Sequence, residues 1–591
     1  HEIWQVYSEL MGIKRQKDRT QIPQLHINGR TVTDKQEISD AINSYFATIG
    51  EKLGNKSSSI SHNYSQYLRG QYPDTMFLTP TTEEEVLKLL KCLNSNKAAG
   101  LDEFHARTIK NAIHHIIKPI THIFNLSIRH AIVPDKLKIS KVIPIYKKGE
   151  KSLPGNYRPI SLLSIFDKLL EKLIHKRLHS FLTQHNILYD YQFGFRNKHS
   201  TTQAVIEIVD NIRDELDKHK HVLGLYLDLS KAFDCVNHSN LLEKLAHYGI
   251  RGHSNQWFKS YLENRIQKTF INGTYSNNCF VNTGVPQGSV LGPTLFLIYV
   301  NDIAECLQDG KVRLFADDTN LFLCDKSLIS LQLNANNSLN KLQKWFENNK
   351  LTLNTDKICF TVFSNSKKRQ KIKLELNNQP IEEVPVSKYL GLHLDEKLNW
   401  KAHTNKVTCK LNQLTAAFYN LSDYIDKDSI NRIYYAYVFP HIKYGIELYG
   451  ACDQSVIKTL QSAQNKILKI LYKKTRRFPT DQLHSELQIL NCEDVYKLFI
   501  GDFVHKQQHN LLPGIFTNYF VLNNNNNRNM HTRNTNNLFL PRYNLKSSQK
   551  SVKFSGVKIW NSIPIEIRNC NSRQFKTKYK NSLIPRYATD N

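Results

Sequence analysis

The stretch "KVRLFADDTNLFL", residues 311–323, sets two carboxylates side by side inside an apolar run. Val312, Leu314, Phe315, Leu321 and Phe322 have the spacing and residue types of strands, while Thr319 and Asn320 supply turn chemistry. Two unit charges about 4 Å apart repel by roughly 4 kcal/mol at an effective dielectric near 20. Taking them out of water costs more still unless something positive lies between them. A fold that accepts this stretch must bring cations to Asp317 and Asp318.

A third carboxylate closes another strand. In "HVLGLYLDLSKAFD" the run from Val222 to Leu227 is nearly all apolar, as in a strand buried on both faces, and it delivers Asp228 at its end. The chain is then expected to turn through Ser230 into a helix. If this strand lies beside the 311–323 hairpin, Asp228 meets Asp317 or Asp318 above the sheet. Three such carboxylates offer hard oxygen ligands for two Mg²⁺ ions. Two metals of that kind serve phosphoryl transfer, one activating the attacking hydroxyl and the other steadying the leaving oxygen.

Bulk properties agree with a polyanionic partner. The chain has 591 residues, enough for three or four structural units, and 80 Lys and Arg against 52 Asp and Glu leave a net charge of +28. That balance points to nucleic acid first and an anionic membrane surface second. The longest apolar stretch, "LGPTLFLIYV", is too short to cross a bilayer, so no membrane association is expected. The ten cysteines are scattered, with no CxxC pair and no zinc-type spacing, as in a cytosolic or nuclear protein with reduced thiols.

Along the chain, strands ("KVIPIYKK", "HVLGLYLDL", "VRLFADD", "ICFTVFS") alternate with amphipathic helices ("SIFDKLLEKLIHKRLHSFL", "SLNKLQKWFENNK") between residues 140 and 365. This predicts an α+β core. Residues 1–80 mix short amphipathic pieces with polar linker, and "HEIWQVYSELMG" opens without Met, like the middle of something longer. "TPTTEEEVLKLLKCL" starts a helix with three glutamates in its first turn. Residues 401–480 are helical and carry 13 basic against 5 acidic side chains, a net of +8. A helical segment 481–521, an Asn-rich linker 522–537 and a closing segment 538–591 complete the order.

"FADD", preceded by "LDLSKAFD" and "GVPQGSVLGPTLFLIYVND", closely resembles the palm motifs of reverse transcriptases, and the longer strings resemble those of non-LTR, LINE-type retrotransposons of the jockey-like kind. The resemblance extends through "NKAAGLDEF", "IPIYKKGEKSLPGNYRPISLL", "QFGFR", "LTLNTDKICF" and "YLGLHLD", covering roughly residues 90–400 in the family's order. It implies a right-hand polymerase. Residues 81–400 would be fingers and palm, with an antiparallel palm sheet flanked by helices, and 401–480 a basic thumb on the primer–template duplex. Residues 1–80 would be a connector behind an absent endonuclease. No cysteine–histidine knuckle follows, unlike in some relatives, and the role of the closing "FSGVKIWNSIPIEIR" region is left between RNA binding and packing.

The implied activity is RNA-directed DNA synthesis from a 3′-hydroxyl primer, with dNTPs, an RNA template and two Mg²⁺ ions (or Mn²⁺ as substitute). The primer would be a nicked chromosomal end, and the chain would travel as a ribonucleoprotein with its element RNA between cytoplasm and nucleus. By the same resemblance Asp228 and Asp317 are principal metal ligands and Asp318 completes the acidic patch. Phe233 stands where the family places its steric gate against a ribose 2′-hydroxyl. Gln287 and Gly288 line the nucleotide pocket in a loop whose glycines permit close backbone approach. Lys147, or Lys148 in its place, and Arg158 grip the triphosphate. Lys357 is the acid for departing pyrophosphate. Gln192 and Arg196 of "QFGFR" contact template or stabilise the fingers. Rival readings are an inactive nucleic-acid-binding relic and another palm-fold enzyme such as an RNA polymerase or nucleotide cyclase. The ordered motifs and Phe233 favour the reverse transcriptase.

Overall fold

The apolar run after His221 forms the strand His221–Leu227, with six of its seven residues buried. Its side chains alternate between two cores. Leu223, Leu225 and Leu227 enter one hydrophobic cluster, and Val222 and Tyr226 enter another on the opposite face. The computed structural model that shows this describes residues 21–27, 29–55, 63–307, 310–366, 370–422, 424, 426–523 and 537–584. The "HEIWQVYSELMG" opening and most of the Asn-rich stretch lie outside them.

Strand His221–Leu227 is central in a six-stranded sheet. Asp318–Asp325 pairs with it antiparallel on one side, Thr319 facing Leu227, and Lys311–Phe315 closes that edge. Cys359–Phe363 pairs antiparallel on the other side, followed outward by Gln379–Glu383 and Leu374–Leu376. The expected antiparallel sheet is corrected here, because Cys359–Phe363 and Gln379–Glu383 run parallel. The hairpin 374–383 docks with its second strand inward, and that strand shares the direction of its neighbour.

A second sheet stands beside the first. Tyr157–Leu162 pairs antiparallel with Ile139–Tyr146, which runs parallel to Arg265–Ile271. Helix Lys35–Gly54, capped by the Asp34 side chain on the Gln36 and Glu37 amides, packs on this sheet through Ile38, Ile42 and Phe46. Residues 401–471 are mostly helical, from Lys401–Leu421 to Gln454–Leu471.

The C-terminal segment folds back onto the core. Leu522 and Leu538 bridge, so the chain returns beside its own departure point. Three aspartates on helix Thr201–Asp217 receive it. Asp210 accepts the Val552 and Lys553 amides at 2.9 and 3.1 Å, and Asp214 accepts the Tyr543 hydroxyl at 2.7 Å. Asp217 accepts the Asn544 and Leu545 amides. These are packing contacts of the segment whose role the sequence left open.

Candidate active site

Asp228 follows the last residue of the central strand, and Asp317 sits in the tight turn between Lys311–Phe315 and Asp318–Asp325. Because Thr319 pairs with Leu227, the antiparallel register brings the turn over the end of the central strand. Ala316 occupies the left-handed region there, at φ 57°. That conformation costs a non-glycine residue about 1–2 kcal/mol and needs outside support. The support is Gln192. Its side chain is buried beneath the turn, and Oε1 accepts the Ala316 and Gly194 amides at 3.0 and 2.9 Å. Arg196 donates Nη1 to the Tyr189 and Gln192 carbonyls at 2.8 and 3.3 Å, closing its own loop. Both "QFGFR" residues therefore shape this loop, and neither lines the cleft below.

That cleft holds about 570 Å³ and is lined by Asp228 and Asp317 together with Lys147, Lys148 and Arg158. The cations come from the second sheet. Tyr146 pairs with Tyr157 and Ile145 with Arg158, and the Lys147 amide donates to Asn156 O at 2.9 Å, so both cations flank one hairpin end. Burial, then Arg158 and Lys357, push the Lys147 ammonium down. Burial, then Asp228, push the Asp317 carboxyl up. The Asp318 side chain reaches solvent, yet its carboxyl is raised to about 6 by its low-dielectric flank, then by Asp317 and Asp228.

Lys357 Nζ lies 2.5 Å from Asp228 Oδ2, and Asn354 Nδ2 donates to the same oxygen at 3.1 Å. Phe233 stacks on Phe296 with ring centroids 4.5 Å apart and presents its ring to the cleft. Gln287 Nε2 donates to Asp234 Oδ1 at 2.9 Å, and its carbonyl accepts the Ser161 amide at 2.8 Å. Gly288 follows at φ 123°, where a Cβ would come within 2.6 Å of Ser161 O.

Two expectations fail locally. Thr319 and Asn320 do not make the turn; they are strand residues paired with Leu227 and Tyr226, and the chain reverses at Ala316 and Asp317. The segment after Asp228 does not turn straight into a helix; helix His238–His247 begins only after a loop in which Lys231 is left-handed at φ 50°. That loop aims Phe233 and Gln287's partner Asp234 at the site. Residues missed by sequence reasoning also stand here. Asp234 is half-buried, and desolvation of its carboxyl raises it to about 6. Lys231 donates Nζ to Tyr157 O at 2.8 Å, and Tyr45, Ile49 and Leu53 of helix Lys35–Gly54 line the cleft. Asp234 and Lys231 lay within "LDLSKAFD" and could have been singled out there; Tyr45 carried no signal beyond helical spacing.

The donor chemistry is that of hard oxygen ligands for a divalent cation: Asp317 and Asp318 are raised by burial and then by the neighbouring carboxylates. Among the described residues, however, no three His, Cys, Asp or Glu side chains converge into a metal-holding group. Also among these residues, no helix is long and apolar enough to cross a membrane.

Residues 145–394 match the family described as reverse transcriptase (RNA-dependent DNA polymerase). The chain is 30% identical over 440 residues to the probable RNA-directed DNA polymerase from transposon BS of Drosophila melanogaster, covering 71% of this chain and 47% of that protein. It is 28% identical over 442 residues to the RNA-directed DNA polymerase from mobile element jockey of the same species, covering 72% and 48%. A type-2 retrotransposable element polyprotein, R2DM, is 28% identical over 309 residues, covering 49% of this chain and 27% of that protein. The chain thus spans about half the length of these curated relatives.

Proposed function

The chain belongs to the reverse transcriptases of non-LTR, jockey-type retrotransposons, and on that premise we propose that it extends a DNA primer with deoxynucleotides on an RNA template. One observation carries the reading: Asp228 and Asp317 line a single cleft together with Lys147 and Arg158, carboxylates and cations in one site. A nucleoside triphosphate satisfies both at once. Arg158 takes its phosphates in a two-pronged grip, and Lys147 or Lys148 adds a point charge. Phe233, fixed by its stack on Phe296, closes the space that a 2′-hydroxyl would need. Asp234 holds Gln287 at the floor of the pocket. Lys357, with Nζ 2.5 Å from Asp228 Oδ2, lines the same cleft and is the proposed acid for the departing pyrophosphate.

Magnesium held by Asp228, Asp317 and Asp318 would supply Lewis-acid activation of the primer hydroxyl and charge neutralisation at the leaving oxygen. Palm, fingers and thumb are assigned in the same proposal. Residues 81–400 carry the two sheets, and 401–480 form the thumb. Supporting the thumb, a groove of about 590 Å³ between strands 386–395 and helix Lys401–Leu421 is lined by Lys388, Lys406, Lys410, His393 and His441. A groove so charged would track a duplex backbone and release it as salt rises. A nicked chromosomal primer, the element's own RNA as template and passage from cytoplasm to nucleus as a ribonucleoprotein belong to this proposal too.

Primer extension on poly(rA) with oligo(dT), dTTP and Mg²⁺ tests it. Asp317→Ala is expected to lose at least ~100-fold in rate, the equivalent of about 2.7 kcal/mol. Phe233→Ala is expected to keep DNA synthesis and gain ribonucleotide incorporation. A folded, RNA-binding wild type that extends nothing would overturn the proposal in favour of an inactive relic.

A further inference from the structure

Helix Lys35–Gly54 is joined at two points to the loop that follows Asp228. Gly50 presses on the loop that follows this aspartate, where a Cβ would come within 1.9 Å of Asp234 O. At the helix end Leu53 O accepts the Thr352 hydroxyl at 3.1 Å, and Thr352 O accepts the amide of Ser230, two residues past Asp228. On the same helix Tyr45, Ile49 and Leu53 line the cleft.

Tyr45 has the most specific surroundings of the three. Lys231 Nζ lies 5.9 Å from its ring centroid, within the range of a cation–π contact. Its hydroxyl lies beside Gly155, in the hairpin end between Lys147 and Arg158; a Cβ on Gly155 would be 3.3 Å from it. Burial and Asp234 raise the phenol further above its ordinary value, so it stays a proton donor at neutral pH. Around it the Lys231 ammonium is pushed down by burial and by Lys147 and Arg158. Crowded cations of this sort call for an anion, and a neutral hydroxyl among them is a donor with no charge of its own to oppose one.

We propose that Tyr45 contacts the incoming deoxynucleoside triphosphate, donating its hydroxyl to a phosphate oxygen while its ring face holds Lys231 in the same phosphate site. This rests on the reading of the cleft as a nucleotide site and adds the N-terminal helix to it. A tyrosine present only for packing would tolerate phenylalanine, and this one is expected not to.

The test is dTTP binding to the full chain on primer–template, measured by calorimetry, beside steady-state extension, for wild type, Tyr45→Phe, Tyr45→Ala and Glu51→Ala. Glu51 is exposed on the same helix and serves as control. Tyr45→Phe is expected to weaken dTTP binding and raise KM roughly five-fold, the size of one lost hydrogen bond, with kcat within two-fold. Tyr45→Ala is expected to lose more, because Lys231 loses its ring. Unchanged dTTP binding by a folded Tyr45→Phe chain would overturn the contact, and so would an equal loss in Glu51→Ala. A wild type that binds dTTP without extending it would sink the polymerase reading alone, with Tyr45 still decided by the binding arm. Absence of dTTP binding in wild type would sink both.

Discussion

Each of the two sheets buries an arginine under the site, and the two are satisfied differently. In the central sheet Arg313 stands three residues before Ala316 and meets Glu207 in a two-pronged pair, Nε to Oε2 and Nη2 to Oε1, both at 3.0 Å. In the second sheet Arg265 faces two carboxylates. Asp167 is 3.6 Å away with neither of its oxygens hydrogen-bonded, and Glu171 instead accepts the Tyr261 hydroxyl and, at 2.6 Å, the Val290 amide. Burial, then Glu171, raise Asp167 to about 8. One guanidinium cannot neutralise both acids, and burial raises the Asp167 and Glu171 carboxyls alike. The central sheet fixes the strand that delivers Asp317 with a complete ion pair. Beneath the Gln287 loop, the second sheet keeps a group that titrates.

The difference can be broken or sharpened by substitution. The largest effect is expected from Glu207→Ala, which strands a buried guanidinium and should cost about 3–5 kcal/mol in urea unfolding. Asp167→Asn is expected to cost far less, because burial already disfavours the charge it removes. Equal losses from the two would erase the contrast.

Next in size is Arg158→Ala, a cation of the cleft's second-sheet side. Loss of a charge-assisted hydrogen bond should raise KM for dTTP on the order of ten-fold with kcat nearly unchanged. A fall in kcat with KM constant would place Arg158 on the transition state and against this division of labour.

A pH slope separates the two arginine sites as well. Asp167 binds its proton more tightly in the folded chain, at about 8 against an ordinary 3.8, so the stability it contributes is fully present below pH 4 and is lost as pH rises through about 8. Melting temperature is expected to fall between pH 6 and 9 in wild type and to fall less in Asp167→Asn. Identical slopes would remove Asp167 from the account.

Much of the site was legible before the fold was known. Strand His221–Leu227 announced itself by an apolar run, and the hairpin by apolar residues on both sides of Asp317 and Asp318, because period and composition are local properties. Helix Ile165–Gln184 was legible for the same reason. Gln192 was not legible as the brace under Ala316, since that bond joins residues 124 apart. Nor was Tyr45, whose neighbours at the cleft lie in segments more than a hundred residues away. The parallel pairing of Cys359–Phe363 with Gln379–Glu383 was hidden too: which strand of a hairpin docks inward is a matter of packing, and both alternatives share one sequence pattern.

The sequence by itself determined the chemistry: an acidic turn, a strand ending in aspartate, and a basic hairpin matching one polymerase family. Residue types and their spacing suffice for that, because they set what each segment can donate, accept or bury. Tertiary structure alone decided which groups share the cleft. Antiparallel register set Asp228 beside Asp317, a buried glutamine held the strained turn, and a glycine let the N-terminal helix close against Asp234. Those outcomes depend on close packing between distant segments, where one added methyl group changes what fits.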